Sequence, residues 1–222
     1  MTTVPISLEL ACCPDASDMG ASLYETLSNG RYDWPASLLP LEFAAEPGTG
    51  YQFRPYLIED YLAKHRTARK RSARADRLGY VARPIERANY GLDIHAINTS
   101  APERQGRPME ESYKRRKLFV PLPRYPCPRH RVTVHGVLTA RSQLVAYAVI
   151  HRAGQVAVIS QILGHADHLG ADVMYALGRE IVRSELEQGG WLFYNLHSSG
   201  TDGLRYFKER LGFAPARVEW RR

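Results

Sequence analysis

The chain has 222 residues, of which 44% are hydrophobic and 24% charged. That is long enough for one full core and argues against wholesale disorder. No run of about 18 apolar residues occurs, so no membrane-spanning helix is expected, and the first twenty residues lack the basic-then-apolar order of a secretory signal. The net charge of +7 points to a polyanionic partner such as RNA, or to an anionic donor such as coenzyme A.

Residues 1–50 show little periodicity and contain the turn signal Glu46-Pro47-Gly48-Thr49-Gly50, so short strands and loops are expected there. Cys12, Cys13 and Cys127 form neither a disulfide framework nor a zinc set and read as reduced thiols of a cytoplasmic protein. From Tyr56 to Leu78 the pattern is helical and strongly basic, and Gly79 is a natural stop. Tyr80 to Arg83 reads as a strand ended by Pro84, Asp93 to Asn98 as a helix, and Thr99 to Pro108 as a polar loop. The prolines between Pro121 and Pro128 impose a rigid extended linker.

Beyond the linker the texture changes. Arg131–Thr139, Gln143–Arg152 and Gln155–Leu163 read as three consecutive strands with hairpin breaks at 140–142 and 153–154. A helix is expected over Ala171–Gln188, with Val173, Leu177 and Ile181 on one stripe, stopped by Gly189-Gly190. Trp191–Leu196 then reads as a buried strand, Thr201–Leu211 as a short helix and Ala216–Trp220 as a last strand. The whole is an α/β chain forming a single domain: an irregular N-terminal segment over 1–50, a basic helical part over 51–120 and a β-β-β-α-β-α-β core over 129–222.

That strand order, with the segment Leu204 to Phe213, resembles the GNAT acyltransferase superfamily, whose closing signature is a helix ending in a Leu-Gly-Phe turn. The resemblance implies a mixed central sheet flanked by helices. The pair Phe207-Lys208 before Leu211-Gly212-Phe213 resembles the Fem branch, GNAT-related transferases that take an amino acid from aminoacyl-tRNA. There a lysine can stabilise the oxyanion that forms when an amine attacks an ester carbonyl. Two more segments are similar to Fem proteins: the basic stretch Arg69 to Arg77 followed by Gly79 and a strand, and Asn98 to Gly106. Acetyl-CoA-using GNAT proteins carry a glycine loop whose backbone N–H groups grip a pyrophosphate. The equivalent here, Asp167-His168-Leu169-Gly170-Ala171-Asp172, keeps one glycine and adds two carboxylates, which would repel that anion.

In a GNAT fold the cleft opens where two neighbouring strands splay. His165 at the end of one and Asn195 and His197 at the end of the next are expected to face each other across it. His197, with a near-neutral reference pKa, suits a base for an attacking ammonium. Lys208, His197 and Asn195 are therefore the catalytic candidates. His165, His168, Phe207 and Ser199 are expected to line the pocket. Arg104, Arg107 and Tyr113 are expected on a loop that folds over the substrate, where the arginines suit a carboxylate or phosphate. No metal is expected: His165, Asp167, His168 and Asp172 straddle a turn and lack a ligand motif.

Between Lys64 and Arg77 there are seven Lys/Arg and one Asp. Like charges at helical spacing destabilise an isolated helix, so Arg66, Arg69, Lys70, Arg74 and Arg77 are expected to contact tRNA phosphates. The expected activity is transfer of an aminoacyl group from aminoacyl-tRNA to a small-molecule or peptide amine, with no cofactor. The alternatives are an acyl-CoA-dependent N-acyltransferase using the same cleft and an RNA-binding module on a degenerate GNAT fold.

Overall fold

The computed structural model describes residues 3–9, 17–28, 35–41, 57–104, 106–198 and 200–221. In chain order the elements are β1 (Thr3–Ser7), α1 (Ser17–Ser28), β2 (Ala36–Pro40), α2 (Ile58–Lys64), α3 (Arg66–Arg77), β3 (Val81–Pro84), α4 (Gly91–Thr99), β4 (Glu103–Arg104), β5 (Arg107–Pro108) and α5 (Glu111–Lys114). The C-terminal half follows as β6 (His130–Leu138), β7 (Leu144–Ala153), β8 (Val156–Gly164), α6 (Val173–Leu186), β9 (Trp191–Leu196), α7 (Asp202–Arg210) and β10 (Ala214–Arg221). The expected β-β-β-α-β-α-β order is therefore present. No helix among the described residues is long and apolar enough to cross a membrane.

Eight strands form one mixed sheet in the order β1-β10-β2-β9-β8-β7-β6-β3. The meander β6-β7-β8 is antiparallel, whereas β8 and β9, joined by the crossover α6, run parallel. β7 is apolar from Leu144 to Ile150 because it is covered on both sides there. Ala146, Ala148 and Ile150 pack in the core beneath α6, while Tyr147 and Val149 face the opposite side with Ile94 and Ile97 of α4. The stripe Val173, Leu177 and Ile181 lies fully buried on that first face. Each such aliphatic side chain stabilises the fold by about 1.5–3 kcal/mol. Near the C-terminal end of α6, Glu185 accepts from Arg152 at 2.8 Å and lies 3.0 Å from Arg131, which ties the helix to the meander.

Three expectations change. The N-terminal segment is not merely irregular: it carries α1, and β2 is inserted between β10 and β9 in the middle of the sheet. A strand made of Ala36, Ser37, Leu38 and Leu39, buried on all sides, has no alternation to announce it. The single helix expected from Tyr56 to Leu78 is two helices broken at His65, with Tyr56 outside the described residues. The loop from Thr99 to Pro108 holds the small hairpin β4-β5. The closing turn matches its reading: Gly212 has φ +92°, which L side chains disfavour, and Phe213 is buried against the ring of Tyr194 at 5.7 Å.

Candidate active site

β8 and β9 pair over only three positions, the last being Val158 opposite Phe193. Two local features then drive them apart. Ser160 is an extra residue in β8, bulged between Ile159 and Gln161, which turns the strand and increases its twist. On β9, Asn195 takes a left-handed backbone conformation (φ 54°) and its own side-chain oxygen accepts from the N–H of Leu196 at 2.7 Å, while β9 stays paired with β2. From Ser160 to Gly164, β8 therefore has no strand paired with it on the β9 side among the described residues.

The gap is a cavity of about 460 Å³. Ile162 and Gly164 of β8, Met174 of α6, Tyr194 of β9, and Leu204 and Phe207 of α7 line its largely apolar interior. The hairpin β4-β5 forms its rim, with Glu103 and Arg104 among the lining residues. Arg104 clamps that hairpin to the mouth. Its guanidinium donates to the carbonyl of Gly164 at 2.8 Å, to that of Ile97 at 2.7 Å and to the Ser100 hydroxyl at 2.8 Å. Burial lowers the Arg104 pKa from its ordinary value, and burial of the Tyr194 phenol raises its own, so Tyr194 is a neutral hydroxyl in the wall.

Of the residues expected at the site, Phe207 and Arg104 line this cavity. Lys208, the next residue after Phe207, is fully buried behind the wall. Its ammonium donates to the Leu196 carbonyl at 2.5 Å and lies 5.1 Å from the centre of the Tyr194 ring. Desolvation lowers its pKa to about 8. His197 turns toward β2 and α7: its Nδ1 lies 3.1 Å from the Ser37 hydroxyl and its Nε2 3.7 Å from Glu209. Burial, then the balance of Glu209 against Lys208 and Arg205, holds the His197 pKa below its ordinary value. Asn195 is exposed and shapes β9 rather than lining the gap.

The remaining candidates scatter. His165 accepts from the N–H of Asp167 at 3.4 Å, and its ring meets that of His168 edge-on at 5.5 Å. His168 Nδ1 is 2.7 Å from the Tyr80 hydroxyl, so the pair braces the turn beside the cleft, whose lining includes Ala166 and Leu169 instead. Arg107 is exposed, and Tyr113 belongs to a different cavity. Ser199 lies outside the described residues. Tyr194, Met174 and Leu204 were missed because an apolar strand or helix residue gives no sign of which wall it will form. Glu103 was missed because its loop placed no signal on it.

An antiparallel meander, a crossover helix and a fourth strand that pairs briefly and then parts from a fifth decide the architecture. The fold is that of the GNAT transferases. No protein-family model matches the sequence, and no curated protein sequence matches it. Among solved structures the chain is similar to FemX, at TM-score 0.59 and 10% identity over 84% of this chain and 61% of that one. It is similar to L-PGS from Bacillus licheniformis, at TM-score 0.50 and 13% identity over 82% and 57%. It is also similar to a C-terminal domain of lysylphosphatidylglycerol-synthetase type from Agrobacterium fabrum, at TM-score 0.50 and 16% identity over 82% and 58%. The chain thus spans about three fifths of the length of each.

The GNAT loop that opens the crossover helix has an arrangement of its own here. Asp172, at the N-cap of α6, has φ 62° and makes no side-chain capping bond. Its carboxylate is paired with Arg71 at 3.0 Å and Arg74 at 2.9 Å, and Arg74 also donates to the Gly170 carbonyl at 2.8 Å. Of the basic helix, Arg66, Arg69, Lys70 and Arg77 are exposed, whereas Arg71 and Arg74 are directed at Asp172.

Proposed function

We propose that this chain catalyses amide formation in the β8–β9 cleft by transferring an aminoacyl group from aminoacyl-tRNA to an amine. The observation that carries the reading is the split between β8 and β9, which leaves a mostly apolar slot with one unpaired strand edge where an activated carbonyl fits. The choice of donor rests on Asp172. At the place where a pyrophosphate would need free N–H groups and positive charge, this chain holds a carboxylate already neutralised by two arginines. The exposed cations of α3 suit an RNA backbone. FemX and the C-terminal domain of lysylphosphatidylglycerol-synthetase type, the latter named for a lysyl product, share the fold and support the same reading.

In this mechanism the amine nitrogen bonds to the ester carbonyl carbon, the ester C–O bond breaks, and the tRNA terminal hydroxyl leaves with a proton. The proton lost from the attacking ammonium passes to Glu103, the carboxylate on the cleft rim, or to water. His197 is engaged by Ser37 and Glu209, so its part is to hold β9 against β2. Lys208 acts as a positioning residue: it fixes the Leu196 carbonyl and places positive charge behind Tyr194 in a dry wall, which favours an oxyanion forming in the slot. Ester-to-amide exchange is downhill and needs no metal or nucleotide.

The test is a transfer assay with bulk tRNA charged with labelled amino acids and a pool of small amines. Labelled amide should form, and ribonuclease treatment of the charged tRNA should abolish it. Product formed from acetyl-CoA and indifferent to ribonuclease would select the acyl-CoA-dependent reading instead. RNA retained by the protein with no donor ever consumed would leave only a binding module.

A further inference from the structure

A second cavity, of about 410 Å³, lies on the other face of the sheet. Tyr147, Val149 and His151 alternate along β7 onto that face, opposite α6, and line it. On β8, Gln161 lines this cavity and its neighbour Ile162 lines the cleft, so one residue of one strand separates the two.

The chemistry of this cavity is that of a receptor for an anion. Arg87 lines it with its guanidinium held 4.6 Å over the Phe119 ring, a cation–π interaction that fixes the group without neutralising it. Arg87 Nε is buried and has no hydrogen-bond partner among the described residues, and no carboxylate among them forms an ion pair with the guanidinium. A buried donor left without a partner is unfavourable, so the position is explained by a group that arrives from outside. Lys117 lines the same space, and Glu110, exposed at the edge, is the carboxylate opposing them.

The far side offers an acceptor. The bulged Ser160 donates its hydroxyl proton to the Val149 carbonyl at 3.0 Å, so its oxygen must take a proton from His151 Nδ1 at 2.9 Å. That assigns the hydrogen to Nδ1 and leaves Nε2 as a free lone pair. Burial, then Arg87, holds the His151 pKa below its ordinary value, which keeps the ring neutral. Tyr147 is meanwhile directed away, its hydroxyl donating to Asn98 at 2.9 Å.

We propose that this cavity binds a small amine bearing a carboxylate or phosphate, with the anion paired by Arg87 beside Lys117 and the amine directed at Nε2 of His151. Calling that molecule the acceptor of the transfer rests on the proposed function; its binding does not.

The experiment is calorimetric titration of the full chain, without donor, using β-alanine as the carboxylate probe, phosphoethanolamine as the phosphate probe, and ethanolamine and propylamine as amines without an anion. At least one anionic probe should bind saturably, at least tenfold tighter than either neutral-tailed amine. Arg87→Gln should weaken it at least tenfold and Arg87→Lys should restore part of the loss; the stronger of the two anionic probes names the anion. Equal binding of the plain amines, unchanged binding in Arg87→Gln, or no saturable binding of any probe up to tens of millimolar would overturn the proposal. If Arg87→Gln melts early, Lys117→Gln at an exposed position carries the same test, expected at a several-fold loss. Because no donor is present, retained binding in a protein that transfers nothing would remove only the proposed function.

Discussion

The guanidinium of Arg74 lies 2.9 Å from the carboxylate of Asp172, a residue in left-handed backbone at the head of the crossover helix. A basic residue that its helix presents as free for RNA is thereby paired within the protein, and a carboxylate that would repel a pyrophosphate is made structural. One ion pair alters two sequence-level readings.

Asp172→Asn should therefore destabilise the fold by roughly 1–3 kcal/mol, because the carboxylate is nearly buried and two charge-assisted bonds would be removed. Asp167, whose side chain is 84% exposed, is the control: Asp167→Asn should stay within about 0.5 kcal/mol. Urea denaturation of both variants checks the pair, and equal effects would show that the Arg71–Asp172–Arg74 cluster contributes nothing.

The basic helix separates into two roles. Replacing Arg66, Arg69 and Lys70 together by Ala should leave stability nearly unchanged, weaken tRNA binding, and flatten the logarithmic salt dependence by about one unit for each phosphate that is no longer neutralised. Arg74→Ala should mainly lower stability, through Asp172. Filter binding across a salt series and a parallel thermal melt distinguish them, and a triple variant with the wild-type salt slope would place the RNA elsewhere.

Lys208 gives a pH signature. Its pKa falls from 10.5 to about 8 on folding because burial disfavours the charged form. Between those values the unfolded chain holds a proton that the folded chain has released, so stability rises as pH increases from about 8 to about 10.5. Lys208→Met should remove that increment, seen as a flatter melting temperature against pH across the window. In the transfer assay the rate should fall as pH passes about 8, where the positive charge behind Tyr194 is neutralised. A rate that ignores Lys208 deprotonation would remove it from the mechanism.

The legible parts of the molecule were those set by local spacing. Apolar, β-branched runs between short breaks announced β6, β7 and β8, the stripe Val173, Leu177 and Ile181 announced α6, and Leu211-Gly212-Phe213 announced the turn that brings Phe213 into the core. Phe207 and Arg104 lie in the cavity lining, and each sits beside such a marker. His197, Asn195 and His165 were expected across the gap from their strand ends alone; strand position fixes where a backbone goes, and partners such as Ser37, Glu209 and Asp167 decide where the ring or amide turns.

By itself, then, the amino-acid order determined the element sequence of the C-terminal half, the fold class and the concentration of positive charge before β3, because periodicity, turn residues and charge act over a few positions. Only the tertiary structure decided that β2 enters the middle of the sheet, that Arg74 meets Asp172, that Lys208 is buried behind Tyr194 and that two cavities flank β8. Those depend on residues up to 160 positions apart being packed together, where burial and the distance between charges, which no local pattern encodes, set the chemistry.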